Sequence, residues 1–318
     1  MFQARHQATD TRSPHEDDTM TNDEMMARMR EGNGFIAALD QSGGSTPKAL
    51  KGYGVEDGAW STDEEMFGLI HQMRSRIITS PCFGGGKVIG AILFERTMDG
   101  TVEGKPTPQA LIDRGIVPFI KIDKGLEDES NGVQMMKPMP ELTGLLDRAR
   151  GLGVFGTKER SVINLANREG IAAVVAQQFD VARQVLGHGM VPIIEPEVNI
   201  KSPERDAADR LLLDAILENL DSIPDGQQVM LKLSLPTEAG LFQPLVDHPK
   251  VLRVVALSGG FSREDACREL ARNPGMIASF SRALLSDLRH QQSDEEFNRT
   301  LGTAIDEIYD ASVARLPA

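Results

Sequence analysis

The chain has 318 residues, 40% apolar and 25% charged, which suits one large α/β domain or two ordinary ones. Its 47 acidic residues outnumber 34 basic ones for a net charge of −13, which argues against a nucleic-acid surface and makes any anion-binding site a matter of locally gathered cations. No apolar run is long enough to span a bilayer, and Cys82 and Cys267 form no metal or redox spacing, a pattern that fits a reducing cytosol with no membrane partner.

Residues 1–19 are polar and unpatterned and read as a disordered leader ahead of a folded domain at 20–318. Residues 35–39 form an apolar run that ends on Asp40 and enters Gln41-Ser42-Gly43-Gly44-Ser45, a loop able to turn hydroxyls and N–H groups onto an anion. Thr62-Asp63-Glu64-Glu65 is a capping-box start for an amphipathic helix through about Arg76. The next apolar runs are 88–94 and 116–120, the second reaching Lys121.

A helix over 141–150 leads into Gly151-Leu152-Gly153-Val154-Phe155-Gly156, a literal G-x-G-x-x-G with Lys158 and Arg160 just beyond. A dinucleotide loop needs a strand before the glycines, and here a helix stands there, so no cofactor follows from it. Residues 190–194 end on Glu195-Pro196-Glu197, and Ser202-Pro203-Glu204 reads as a capped helix start. Residues 229–234 place Lys232 inside an apolar strand. A lone lysine there more often snorkels or pairs with a carboxylate than acts as a nucleophile. The run 252–257 ends on Ser258-Gly259-Gly260, and 276–280 leads to Ser281-Arg282. Ser262 and Ser293, each followed three residues on by a carboxylate, cap the last two helices.

Eight apolar strands with helical spacing between them predict a parallel sheet, closed as a single-domain (β/α)8 TIM barrel, with an open doubly wound sheet as the alternative. The barrel is favoured because Asp40, Lys121, Lys158, Glu195, Lys232, Ser258 and Arg282 fall at C-terminal strand ends, which converge on one rim. An amine, two carboxylates and cations at both ends of that rim suit carbon–carbon cleavage in a doubly phosphorylated ketose.

Six motifs then stand in register with one family: Ala38-Leu39-Asp40-Gln41-Ser42-Gly43-Gly44-Ser45, Ile120-Lys121-Ile122-Asp123-Lys124-Gly125, Val191-Pro192-Ile193-Ile194-Glu195-Pro196-Glu197, Leu231-Lys232, Leu257-Ser258-Gly259-Gly260 and Phe280-Ser281-Arg282-Ala283-Leu284. From about Met20 to Arg315 the chain resembles class I fructose-bisphosphate aldolase, its bacterial-type members more than the animal ones. The resemblance implies Lys232 as the Schiff-base lysine, Glu195 as general acid/base, Asp40 as hydroxyl orienter and Lys158 as the cation beside the amine. It implies Ser258, Gly259, Gly260 and Arg282 on one phosphate of fructose 1,6-bisphosphate, and Ser42, Ser45, Lys121 and Arg160 on the other. Glu197 is expected to stand behind these.

The resemblance implies neither cofactor nor metal. It leaves a homo-oligomer open, because family members differ. Gln41 departs from the glutamate of many animal aldolases, and the tail lacks their terminal tyrosine, with Tyr309 expected to pack in the last helix. The rival readings are another Schiff-base sugar-phosphate lyase or a transaldolase-like enzyme, and a non-catalytic sensor on the same fold.

Overall fold

The computed structural model describes residues 20–56 and 58–314. The expected leader, 1–19, lies outside the described residues. Eight parallel strands run in sequence order around one sheet: β1 (Phe35–Leu39), β2 (Val88–Leu93), β3 (Val117–Lys121), β4 (Gly156–Ile163), β5 (Val191–Val198), β6 (Val229–Ser234), β7 (Val251–Leu257) and β8 (Met276–Ala278). This is the expected (β/α)8 barrel. β1, β2, β3 and β6 are fully or almost fully buried, which is why these strands read as largely apolar runs. The seam lies between β1 and β8, where one backbone hydrogen bond, Ala38 N to Phe280 O at 3.2 Å, crosses among the described residues.

Side chains of a strand alternate between two faces, and the two apolar clusters follow that period. Ile36, Ala38, Phe119, Ile193, Met230 and Val255 fill the barrel interior. Phe35, Ala37, Leu39, Ile194, Leu231, Leu233 and Ala256 pack outward under the helices. The helix Asn22–Glu31 closes the N-terminal end, placing Met25 and Met29 in the interior cluster. It is held there by Arg28, which donates to the Gly85 and Gly115 carbonyls at 2.9 and 2.7 Å, and by Arg253, which donates to the carbonyls of Met29 and Gly32. With that end plugged, the opposite rim is the open one.

Two local expectations are corrected. The helix expected from Ser202 begins at Arg205, without a side-chain cap from its N-cap residue Glu204; Ser202 Oγ accepts from the Glu204 N–H at 3.2 Å and donates to the Asn164 carbonyl at 2.6 Å. Lys158 and Glu195 lie within their strands, not at the ends, since β4 and β5 run on together to Ile163 and Val198. The antiparallel pair Val133–Gln134 extends the sheet edge alongside β4. The capping boxes at Thr62 and Ser293 are present, and the first of these helices continues to Thr79. At the glycine-rich segment the helix Leu142–Gly151 precedes and β4 follows, the reverse of a dinucleotide turn.

Candidate active site

The strand period decides what enters the barrel mouth. Residues two on from the interior Ala38, Phe119, Ile193 and Met230 are Asp40, Lys121, Glu195 and Lys232, and two on from Gly156 comes Lys158. Gly156 is glycine because its Cα lies against the neighbouring strand: an added Cβ would stand 2.2 Å from the Val191 carbonyl and 2.8 Å from the Phe119 ring. That close approach draws β4 and β5 together below Lys158 and Glu195.

Asp40, Lys158, Glu195 and Lys232 are all buried and form one alternating chain of charges. Lys158 Nζ is 2.7 Å from Asp40 Oδ2 and 2.8 Å from Glu195 Oε2, and Lys232 Nζ is 3.1 Å from Glu195 Oε1. Glu195 Oε2 keeps accepting capacity beyond its contact with the Lys158 ammonium, so it can still accept from a ligand hydroxyl. Burial works against the charge on Lys158, but Asp40, Glu195 and Asp123 outweigh it and raise the amine well above the ordinary lysine range. Burial likewise works against ionising Asp40, and Lys158, Lys232 and Lys121 together hold its carboxyl far below the ordinary aspartate value. Lys158 is therefore a fixed cation between two carboxylates.

The other expected ligands stand around this centre. Lys121 donates to Asp123 through the carboxylate at 2.6 Å and the carbonyl at 2.9 Å, and burial lowers its pKa. Arg160 pairs with Glu197 at 3.0 Å, two residues on from Glu195 in β5. Ser45 Oγ is turned back onto its own loop, donating to the Ser42 carbonyl at 2.9 Å while accepting from the Ser42 N–H. Ser258 is buried, and Gly259 and Gly260 have positive φ of 59° and 122°, the conformation that aims successive N–H groups at one point. The Arg282 guanidinium lies over Gly260, whose added Cβ would be 3.6 Å from Nη1. Arg282 is exposed and has no ion-pair partner among the described residues.

The class-I fructose-bisphosphate aldolase family model matches residues 21–209. The chain belongs to that family. Its aldolase fold also superposes on fructose-bisphosphate aldolase from Plasmodium falciparum, solved with TRAP and a small-molecule inhibitor, with a TM-score of 0.77 and 20% identity over 93% of this chain and 95% of that one. Protein Cgl0159 from Corynebacterium glutamicum gives a TM-score of 0.53 at 13% identity, over 91% of each chain. The matched family stretch contains Asp40, Lys121, Lys158 and Glu195, and β6 to β8 add Lys232, Ser258 and Arg282 from beyond it.

Three polar groups of this aldolase were not singled out by sequence reasoning. Gln178, on the helix Arg168–Gly187, accepts the Glu195 N–H at 2.8 Å and so fixes the backbone that carries the carboxylate. Glu159 faces outward from β4, fully buried, with Thr157 Oγ1 at 3.3 Å from Oε2 and nothing on Oε1. Burial and the charge of Asp123 push its carboxyl well above the usual range. Arg74, also fully buried, donates from Nη1 to Thr97 Oγ1 at 2.7 Å and from Nη2 to the Gln41 carbonyl and side chain. The readable signal for Arg74 was an arginine within the buried stripe of Met66, Ile70, Met73 and Ile77. Tyr309 packs under Lys87 at the entry to β2, the end opposite the mouth.

Among the described residues no helix is long and apolar enough to cross a membrane, and no three His, Cys, Asp or Glu side chains are grouped to hold a metal ion. The family makes the chain an aldolase acting on a phosphorylated sugar.

Proposed function

We propose that this aldolase reversibly cleaves fructose 1,6-bisphosphate to dihydroxyacetone phosphate and glyceraldehyde 3-phosphate through a Schiff base on Lys232, serving glycolysis and gluconeogenesis in the cytoplasm. The observation that carries this reading is the contact of a buried lysine amine with a buried carboxylate, 3.1 Å apart, with a second, fixed ammonium on the carboxylate's other oxygen. An amine in contact with a proton acceptor is the minimum needed to attack a ketone.

Lys232 gives a proton to Glu195 and attacks the substrate C2 carbonyl as the neutral amine. The C2 oxygen takes one proton from the attacking nitrogen and a second back from Glu195, leaves as water and gives the iminium. Removal of the C4 hydroxyl proton then breaks C3–C4, and the bonding pair moves into the iminium to form an enamine. Glyceraldehyde 3-phosphate departs, the enamine is protonated at C3, and hydrolysis frees dihydroxyacetone phosphate and the lysine. Glu195 Oε2, with a lone pair left beyond its Lys158 contact, suits the C4 hydroxyl. Asp40 orients the adjacent hydroxyls. Lys158 keeps a fixed positive charge on Glu195, the carboxylate that Lys232 touches. Arg282, with the Ser258-Gly259-Gly260 turn, takes the C1 phosphate, while Lys121, Ser42, Ser45 and Arg160 take the C6 phosphate.

Borohydride reduction in the presence of dihydroxyacetone phosphate, followed by peptide mass mapping, tests the assignment. The adduct is expected on Lys232. A label on any other lysine, or none at all, refutes it.

A further inference from the structure

Arg74 is the largest of the fully buried side chains, and no carboxylate lies within ion-pair distance of it among the described residues. Burial lowers its pKa to about 10, against the opposing pull of Asp40, so it is a cation at pH 7. A buried guanidinium is costly unless its hydrogen bonds are spent on something that must be held. Here they are spent on Thr97, after β2, and on Gln41, after β1. Arg74 Nη2 lies 2.5 Å from the Gln41 carbonyl and 3.2 Å from its Oε1. With its oxygen occupied, the Gln41 amide is oriented, and its Nε2 donates to Ser281 Oγ at 2.6 Å. That last bond spans the seam between β1 and β8, where the backbone contributes only Ala38 N to Phe280 O among the described residues.

We infer that Arg74, acting through the Gln41 side chain, is a positioning residue that sets Ser281, and with it Arg282, relative to Asp40 across the barrel seam. The relay replaces the missing ladder at the mouth. Its two ends adjoin groups that must keep a fixed separation, the carboxylate at 40 and the guanidinium at 282. The consequence is specific to the C1-phosphate end of the substrate, so the inference rests on the functional reading above.

Gln41 is half-buried and can be changed without opening the core, unlike Arg74. In the condensation direction the two substrates report separately on the two phosphate ends. Gln41→Met, which cannot make either bond, is expected to raise KM for dihydroxyacetone phosphate about tenfold, the worth of one charge-assisted hydrogen-bond link, and to leave KM for glyceraldehyde 3-phosphate unchanged. Gln41→Glu keeps an acceptor for Arg74 and one for the Ser281 hydroxyl, and is expected to restore the dihydroxyacetone phosphate KM. Unchanged KM for dihydroxyacetone phosphate in Gln41→Met, or an equal rise in both KM values, overturns the inference while leaving the Schiff-base reading intact. Failure of the wild-type chain to be trapped at Lys232 overturns both, and the trapping control separates the two outcomes.

Discussion

Lys158→Met tests the electrostatic design of the site directly, because it removes the one charge that lies between two buried carboxylates. Removing one partner of a buried ion pair costs about 3–5 kcal/mol, since the charge left behind stays desolvated. At about 2.1 cal/mol/K of unfolding entropy per residue, a chain of this length has roughly 0.65 kcal/mol/K, so the loss corresponds to about 5–8 °C in Tm. The sign of its pH dependence follows from the two shifts. The Lys158 pKa is raised, so its contribution is complete below the ordinary lysine value and is lost only in strong alkali. The Asp40 pKa is depressed, so its contribution is present above the ordinary aspartate value and fades as pH falls toward the folded value. In the variant, burial without its main counter-charge moves Asp40 upward. The stability gap between wild type and variant is therefore expected to be full at pH 7–8 and to shrink as pH falls toward 4, when the carboxyls of the variant take up protons. Urea denaturation across that range, read beside kcat, measures it, with kcat expected to fall by about two to four orders of magnitude. A stability gap that is constant with pH would refute the ion-pair account.

Glu159→Gln is expected to gain stability over wild type as pH rises. The raised native pKa of the carboxyl gives a contribution that is complete below pH 4.5 and lost at higher pH, with a slope of at most about 1.4 kcal/mol per pH unit for one proton; parallel stability–pH curves would count against it. Gly156→Ala drives a Cβ against the Val191 carbonyl and should cost about 1–3 kcal/mol or more, read as a lowered urea midpoint. Activity is expected to survive EDTA dialysis, and a loss that added zinc restores would point to a metal-dependent reaction. Fructose 1-phosphate should show kcat/KM lower than that of the bisphosphate by about a hundredfold or more, because the C6-phosphate contacts are charge-assisted. Comparable rates would favour a lyase for singly phosphorylated sugars.

The barrel was legible because strands buried on both faces are written as apolar runs, and seven such runs appear as staves, β4 being the stave that carries charged residues in its middle. The catalytic candidates were legible for the same reason: a polar residue on the inner face of such a strand has nowhere to point but the mouth, as Asp40, Lys121, Glu195 and Lys232 do. The extent of β4 and β5 was not legible. Their continuation past Lys158 and Glu195 depends on pairing with each other and with Val133–Gln134, a tertiary fact that no local pattern records. Glu159 was missed although alternation places it among outward-facing apolar neighbours, because attention went to the inner residues on either side of it. The Ser202 hydroxyl bridges the Glu204 N–H to the carbonyl of Asn164, 38 residues away, and the helix starts just beyond it. Arg74 reaches its role through Gln41 and Ser281, separated in the chain by 33 and 240 residues, and sequence spacing carries no trace of such a relay.

The mouth resolves a tension that the composition poses, an acidic protein whose family acts on a phosphorylated sugar. Its cations are in two tiers. Lys158 is matched to both Asp40 and Glu195 within 2.8 Å, so the inner tier is close to neutral and its charges are committed to one another. A phosphate monoester, carrying about 1.5 to 2 negative charges, placed against that tier would meet Asp40 and Glu195 as well as the ammonium groups. Arg282 is different: exposed, unpaired among the described residues and lying over a glycine turn, it offers a cation and bare N–H groups with no carboxylate to compete. The outer tier is suited to hold an anion, and the inner tier to move protons. Keeping them apart lets the carboxylates that bond making requires stay clear of the charge that anchors the substrate.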